Sequence, residues 1–211
     1  MASAELAVRG RPVPPADLLA LHSPDEFRPA PEVAEWFRET ILLPSGPLHN
    51  PDHQHLLDAE IGVLWTNVRA KQMMAVAGTM EIPQPISGNQ WQRARYHQQI
   101  REWFRRDKLD FLMTLSAAFC RETSDAGFCA LIEHELYHGA QKRDRDGQLA
   151  FSEDSGRPLY ALRGHDVEEH LGVVRRYGAI NCNVAELVRL ANQAPQIEAA
   201  QIEFACGTCR R

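Results

Sequence analysis

The chain has 211 residues, 44% of them hydrophobic and 24% charged, which excludes wholesale disorder and leaves enough apolar material for a core without disulfides. A net charge of −5 excludes a protein basic throughout, of the kind that coats nucleic acid, though not a local basic patch. No apolar run approaches the ~20 residues that cross a bilayer, and cysteines at 120, 129, 182, 206 and 209 do not form a secreted disulfide framework.

Residues 1–30 are rich in Pro and Ala, with weak periodicity and no apolar leader core, and the expectation for them is a loose arm. Pro31 then opens a helix in which Val33, Trp36 and Phe37 share one face, ended by Pro44, Gly46 and Pro47. Residues 61–66, Ile-Gly-Val-Leu-Trp-Thr, are a short apolar run suited to a buried strand. Gly78, Pro83, Pro85 and Gly88 then break the chain. Residues 89–108 form a helix with Tyr96, Ile100, Trp103 and Phe104 as its core-facing stripe. The same segment carries Arg93, Arg95, Arg101, Arg105, Arg106 and Lys108; a solvated basic face is the plain reading, a nucleic-acid contact the sharper one. Phe111–Leu115 follows as a strand. Thr123 or Ser124 caps a helix that runs to His138 and stops at Gly139. Beyond it, Leu149–Phe151 and Leu159–Leu162 are candidate hairpin strands around Asp154-Ser155-Gly156, and two helical stretches follow at about 165–177 and 183–193. The resulting division is an arm at 1–30, one domain at 31–195 and a tail at 196–211.

The chemistry sits in His134-Glu135-Leu136-Tyr137-His138. Side chains four apart on a helix lie on one face a turn apart, so both imidazoles reach the same spot, and neutral imidazoles are good Zn2+ ligands. Glu135 lies between them and can act as general base toward a water held at the ion. Such a site needs a third protein ligand. His165, 27 residues past His138, is the first choice, because imidazole suits zinc and Gly164 permits close approach. Glu168 and Glu169 are the alternatives, with an imidazole-orienting role as their other reading. Tyr160, Arg163, His170 and Tyr177 are candidates for steadying an oxyanion. Tyr137 points elsewhere on the helix and is expected to pack.

These segments, Leu131 to His138, then Gly164-His165-Asp166-Val167-Glu168-Glu169 and Val173 to Gly178, resemble the metallopeptidases encoded by bacteriophages and prophages, over about residues 55–180. The pattern is also similar to SprT-like zinc proteases, in which a later Gly-His opening a helix completes the metal site. That likeness implies His165 as third ligand, a protein substrate, and a cytoplasmic setting in a bacterium carrying phage genes. His170 departs from the phage pattern, where an aromatic residue is expected, and stands as an alternative ligand or a polar pocket residue. The implied fold is α+β: a small zincin-like core with a short mixed sheet, an active-site helix beneath it and a following helix bearing the third ligand. In such a core an edge strand holds the substrate backbone, a role that falls to 111–117 or part of 61–66.

Cys206 and Cys209 form a single C-x-x-C; free or structural thiols are the first reading, zinc or redox chemistry the others. His49, His53 and His55 lie in a proline-punctuated loop and are expected at the surface. Asp144 and Asp146 lack the spacing of a calcium loop. The favoured function is zinc-dependent hydrolysis of peptide bonds, with His134, His138 and His165 on the ion and Glu135 as base. The alternatives are a non-catalytic zinc-stabilised module binding nucleic acid or protein, and a thiol protein built on Cys206 and Cys209.

Overall fold

The computed structural model describes residues 10–69, 76–83, 88–167, 174–175 and 183–197. They fall into two compact units, one running through Arg163 and a smaller one within Gly164–Ala199. In the first unit a four-stranded mixed sheet is built from β1 (Phe27–Pro29), β2 (Ile61–Thr66), β3 (Gly78–Glu81) and β4 (Phe111–Ser116). Its order is β1-β2-β4-β3, with β2 and β4 parallel and the two outer strands antiparallel to their neighbours. The helices are α1 (Pro31–Phe37), α2 (Gln90–Phe104), α3 (Ala117–Glu122) and α4 (Asp125–His138). A two-stranded ribbon, β5 (Gly139–Gln141) with β6 (Tyr160–Leu162), leaves the end of α4. This is the α+β arrangement with a small mixed sheet that the sequence implies.

The sheet is covered on both faces because side chains alternate along each strand. Val63 and Trp65 of β2, with Phe111, Met113 and Leu115 of β4, pack with Phe128, Leu131, Ile132 and Leu136 of α4 and with Trp36 and Phe37 of α1. Leu64 and Leu112 belong to a second cluster with Ile100 of α2 and Leu109, flanked by Tyr96, Trp103 and Phe104. The expected stripe on α2 is therefore a packing face. Asn89 and Gln92 form a reciprocal capping box at its start. At its end Arg105 takes a left-handed conformation (φ 54°), which stops the helix four residues short of the expected 108.

Two expectations change here. Strands β2 and β4 are interior, paired on both sides, so neither 61–66 nor 111–117 offers an edge to a peptide; the edges are β1 and the four-residue β3. And residues 10–30 are packed rather than loose. Leu18 is buried, β1 pairs with β2, and Arg11 contacts residues more than 100 positions along the chain. Its guanidinium donates to Asp125 Oδ1 (2.7 Å) and to the carbonyls of Cys120 (2.9 Å) and Thr123 (3.0 Å), and lies 5.0 Å over the Phe128 ring. One cation thus ties the end of α3 to the start of α4. Arg11→Ala is expected to cost about 2–3 kcal/mol in urea unfolding, because three acceptors lose a charged donor. Arg11→Lys should recover little of it, since an ammonium cannot reproduce the planar fork.

The ribbon region also differs from its expected form. Around Asp154-Ser155-Gly156 the hairpin is short: Phe151 pairs with Pro158, flanked by the Ser152 N–H donating to the Arg157 carbonyl and the Leu159 N–H to that of Ala150, while the longer pairing joins β6 to β5. Asp144 serves a turn: its Oδ1 accepts from the backbone N–H of Asp146 and Gln148. In the second unit the described helix is α5 (Val184–Ala191), while most of the expected 165–177 helix lies outside the described residues. No helix among the described residues is long and apolar enough to cross a membrane.

Candidate metal centre

Helix α4 forms where capping and burial agree. Ser124 accepts from the Gly127 N–H (3.0 Å), and Asp125 places an acid in the first turn. Phe128, Leu131, Ile132 and Leu136 then enter the core at helical spacing. The helix stops at Gly139 with φ −78°, so no left-handed turn is needed; the chain passes straight into β5. The position is crowded: an added Cβ would lie 3.2 Å from Leu56 Cδ2 and 3.3 Å from the Leu136 carbonyl oxygen.

His134 and His138 come together as the spacing requires. Their Nε2 atoms are 3.3 Å apart, with ring planes inclined at 78°. His138 is buried and its Nδ1 lies 2.7 Å from the Arg163 carbonyl oxygen. A carbonyl only accepts, so Nδ1 carries the proton and Nε2 presents its lone pair toward His134. The Arg163 N–H donates back to the His138 carbonyl (2.9 Å), which fixes the ring and the backbone of His138 to the same residue. The donor set fits zinc. Two nitrogens bonded to zinc at ~2.0–2.1 Å in tetrahedral geometry stand about 3.3 Å apart. His134 and His138, both on α4, supply two of the three expected nitrogens from the first unit; His165, the third expected ligand, is the second residue of the other unit. His165 is exposed and stands outside any helix, because Gly164–Val167 is irregular. The expected helix-borne presentation is thus not what carries it.

Glu135 is fully buried. Its carboxylate lies against the first residue of β3: a Cβ built on Gly78 would sit 2.8 Å from Glu135 Oε1 and 3.1 Å from its Cγ. In the sequence Gly78 reads only as a chain breaker; the signal it carries for a close backbone approach is a glycine starting a short apolar segment. Gly78→Ala is expected to leave stability nearly unchanged, since the clash falls on the end of a flexible side chain. It should nevertheless displace the carboxylate, and misplacement by an ångström can cost about 10²-fold in rate. The check is turnover beside zinc content and unfolding midpoint, with only the first falling.

Of the three histidines expected at the surface, His53 is buried against this helix, while His49 and His55 are partly exposed. Pro51–Leu56 is a 3₁₀ turn capped by Asn50, and its three-residue period buries His53 together with Leu56. His53 packs edge-on against Tyr137 with ring centroids 4.5 Å apart; Glu133 Oε2 stands 3.8 Å from its Nε2, too far for a hydrogen bond. His55 Nε2 lies 2.8 Å from the Gly139 carbonyl, and His49 Nδ1 lies 3.3 Å from that of Ile41. Tyr137 is partly exposed rather than core, donating to Asp52 Oδ2 (2.9 Å) and accepting from Asn50 Nδ2 (3.2 Å).

Of the oxyanion candidates, Tyr160 is tied to structure. Its hydroxyl donates to the His55 carbonyl (3.4 Å), its ring meets Phe111 edge-on, and burial with the nearby Asp110 and Asp58 charges pushes its phenol up to about 12. Arg163 contributes through its backbone, as described. Glu168, Glu169, His170, Tyr177, Cys182, Cys206 and Cys209 lie outside the described residues. Cys120 and Cys129 are buried free thiols, each pushed up to about 12 by burial, and so inert as nucleophiles.

A family model described as "Putative phage metallopeptidase" matches residues 34–192, a span that runs from α1 to the end of α5 and includes the whole of α4. No curated protein and no solved structure matches the chain. With most of its length inside that match and the paired histidines at its centre, the chain belongs to the phage metallopeptidase family.

Proposed function

We propose that the protein is a zinc-dependent peptidase acting on protein substrates, with His134, His138 and His165 as ligands and Glu135 as general base. The observation that carries this reading is the pairing on α4: two imidazoles at a tetrahedral edge distance, one with its tautomer set by the Arg163 carbonyl, flanking a buried carboxylate. When bound, the ion supplies a Lewis acid that acidifies water and polarises a carbonyl. Glu135 takes the proton from the attacking water and returns it to the leaving amine nitrogen. Its position next to β3 supports a further assignment. The outer edge of β3 is where an extended substrate would add as a strand, which brings its backbone to the side of Glu135.

Purified protein is expected to hold close to one zinc per chain, with His165→Ala weakening retention while Glu168→Gln and Glu169→Gln leave it intact. Either glutamine variant losing zinc while His165→Ala keeps it would move the third ligand to a carboxylate. For activity, the zinc-loaded protein is incubated with a denatured protein mixture and new N-termini are read by mass spectrometry. New termini that vanish with chelator and return with zinc support the peptidase reading. None at full zinc occupancy would make this a metal-stabilised binding module instead.

A further inference from the structure

Helix α2 carries charge that its own fold does not use. Six of the chain's 23 Lys and Arg residues fall within 93–108, against two acids, in a protein whose net charge is −5. Arg93, Arg95, Arg101 and Arg105 are all exposed, and none has an ion pair among the described residues, whereas Arg106 pairs with Glu60 at 3.3 Å. Cations near a helix C-terminus are stabilised by the helix dipole, which accounts for Arg101 and Arg105. Arg93 falls near the other end, where the dipole disfavours a cation, and the first turn holds no acid to offset it. Folding therefore gives no reason for a basic residue there. Arg93, His97 and Arg101 recur every four residues, which sets exposed side chains along one row at a rise of ~6 Å per step. Trp91 and Arg95, also four apart, form a second exposed row further around the helix, and Trp91 is 85% exposed.

We propose that this face of α2 binds the phosphate backbone of a single-stranded nucleic acid, with Trp91 stacking on an unpaired base. A row of arginines with an exposed aromatic ring is the combination that single strands engage: charge follows the backbone and the ring takes a base without reading its sequence. An anionic membrane is the other polyanion to weigh. An amphipathic helix that binds bilayers inserts its apolar face. Here that face is taken, since Ile100 packs with Leu64, Leu109 and Leu112. What remains outward is charge and one tryptophan.

The test is anisotropy of a labelled, mixed-sequence single-stranded DNA titrated with the full chain at several salt concentrations. It is independent of the peptidase reading, because it needs neither zinc nor turnover. Binding should weaken steeply with salt. The triple variant Arg93→Ala, Arg95→Ala, Arg101→Ala should bind more weakly and lower the slope of log K against log salt by about 2, at ~0.7 for each phosphate no longer neutralised. Trp91→Ala should bind roughly tenfold more weakly with the slope unchanged. All four positions are exposed, and circular dichroism checks that each variant is folded. The proposal is overturned if the parent shows no binding at low salt, or if the triple variant binds like the parent. It is also overturned if phosphatidylserine–phosphatidylcholine vesicles are bound while the oligonucleotide is not.

Discussion

Glu135→Gln is expected to lower turnover by about 10²–10⁴-fold while zinc content and fold survive. The substitution keeps the length and volume of a side chain that is fully buried against Gly78, so packing is preserved. It removes the anionic oxygen that accepts a proton. Because the proposed ligands are the imidazoles and Glu135 is turned toward β3, the variant should hold zinc as the parent does. The same variant should trap an uncleaved substrate from lysate, and the parent should then cut what the variant retains. A glutamine variant that cuts the trapped protein at the parental rate would remove Glu135 from the chemistry. Loss of zinc in that variant would mean the carboxylate is a ligand.

What is legible in the sequence is what local chemistry determines. Thr123 or Ser124, the helical spacing of Phe128 to Leu136 and Gly139 together bound α4 to within a residue, and a four-residue separation is enough to bring His134 beside His138. β2 and β4 show as apolar runs because both of their faces are covered. The features that escape depend on partners far along the chain. Arg11 looks like one charge in a loose arm until its acceptors, more than 100 residues away, are in place. β3 is four residues long, too short for periodicity to show, and its place at the sheet edge follows from pairing order. His53 and Leu56 do carry a local signal, a period of three behind Asn50-Pro51, but it belongs to a 3₁₀ turn and not to the spacing of metal ligands. The Arg163 carbonyl cannot be read at all, since a backbone acceptor carries no residue-type signature.

Removing either paired histidine should abolish zinc binding, yet the two variants should differ in the metal-free protein. His134 is half-buried and His138 is buried, so His134→Ala is expected to lose the ion at a smaller cost to metal-free stability than His138→Ala. His138 is 2% exposed and its ring N–H occupies the Arg163 carbonyl. His138→Ala therefore vacates buried volume and strips a buried acceptor of its donor, a cost of about 1–3 kcal/mol for the unmet group alone. Thermal unfolding with and without zinc separates the effects. The parent should gain stability with added zinc in proportion to the logarithm of how far the free ion exceeds its dissociation constant, because the ion binds the folded chain. Both alanine variants should lack that gain, and only His138→Ala should start from a lower midpoint in chelator. Equal midpoints for the two metal-free variants would show that the Arg163 contact does not hold His138 in solution. Its lone pair would then not be aimed before the ion arrives. A gain from zinc that persists in both variants would place the binding site elsewhere in the chain.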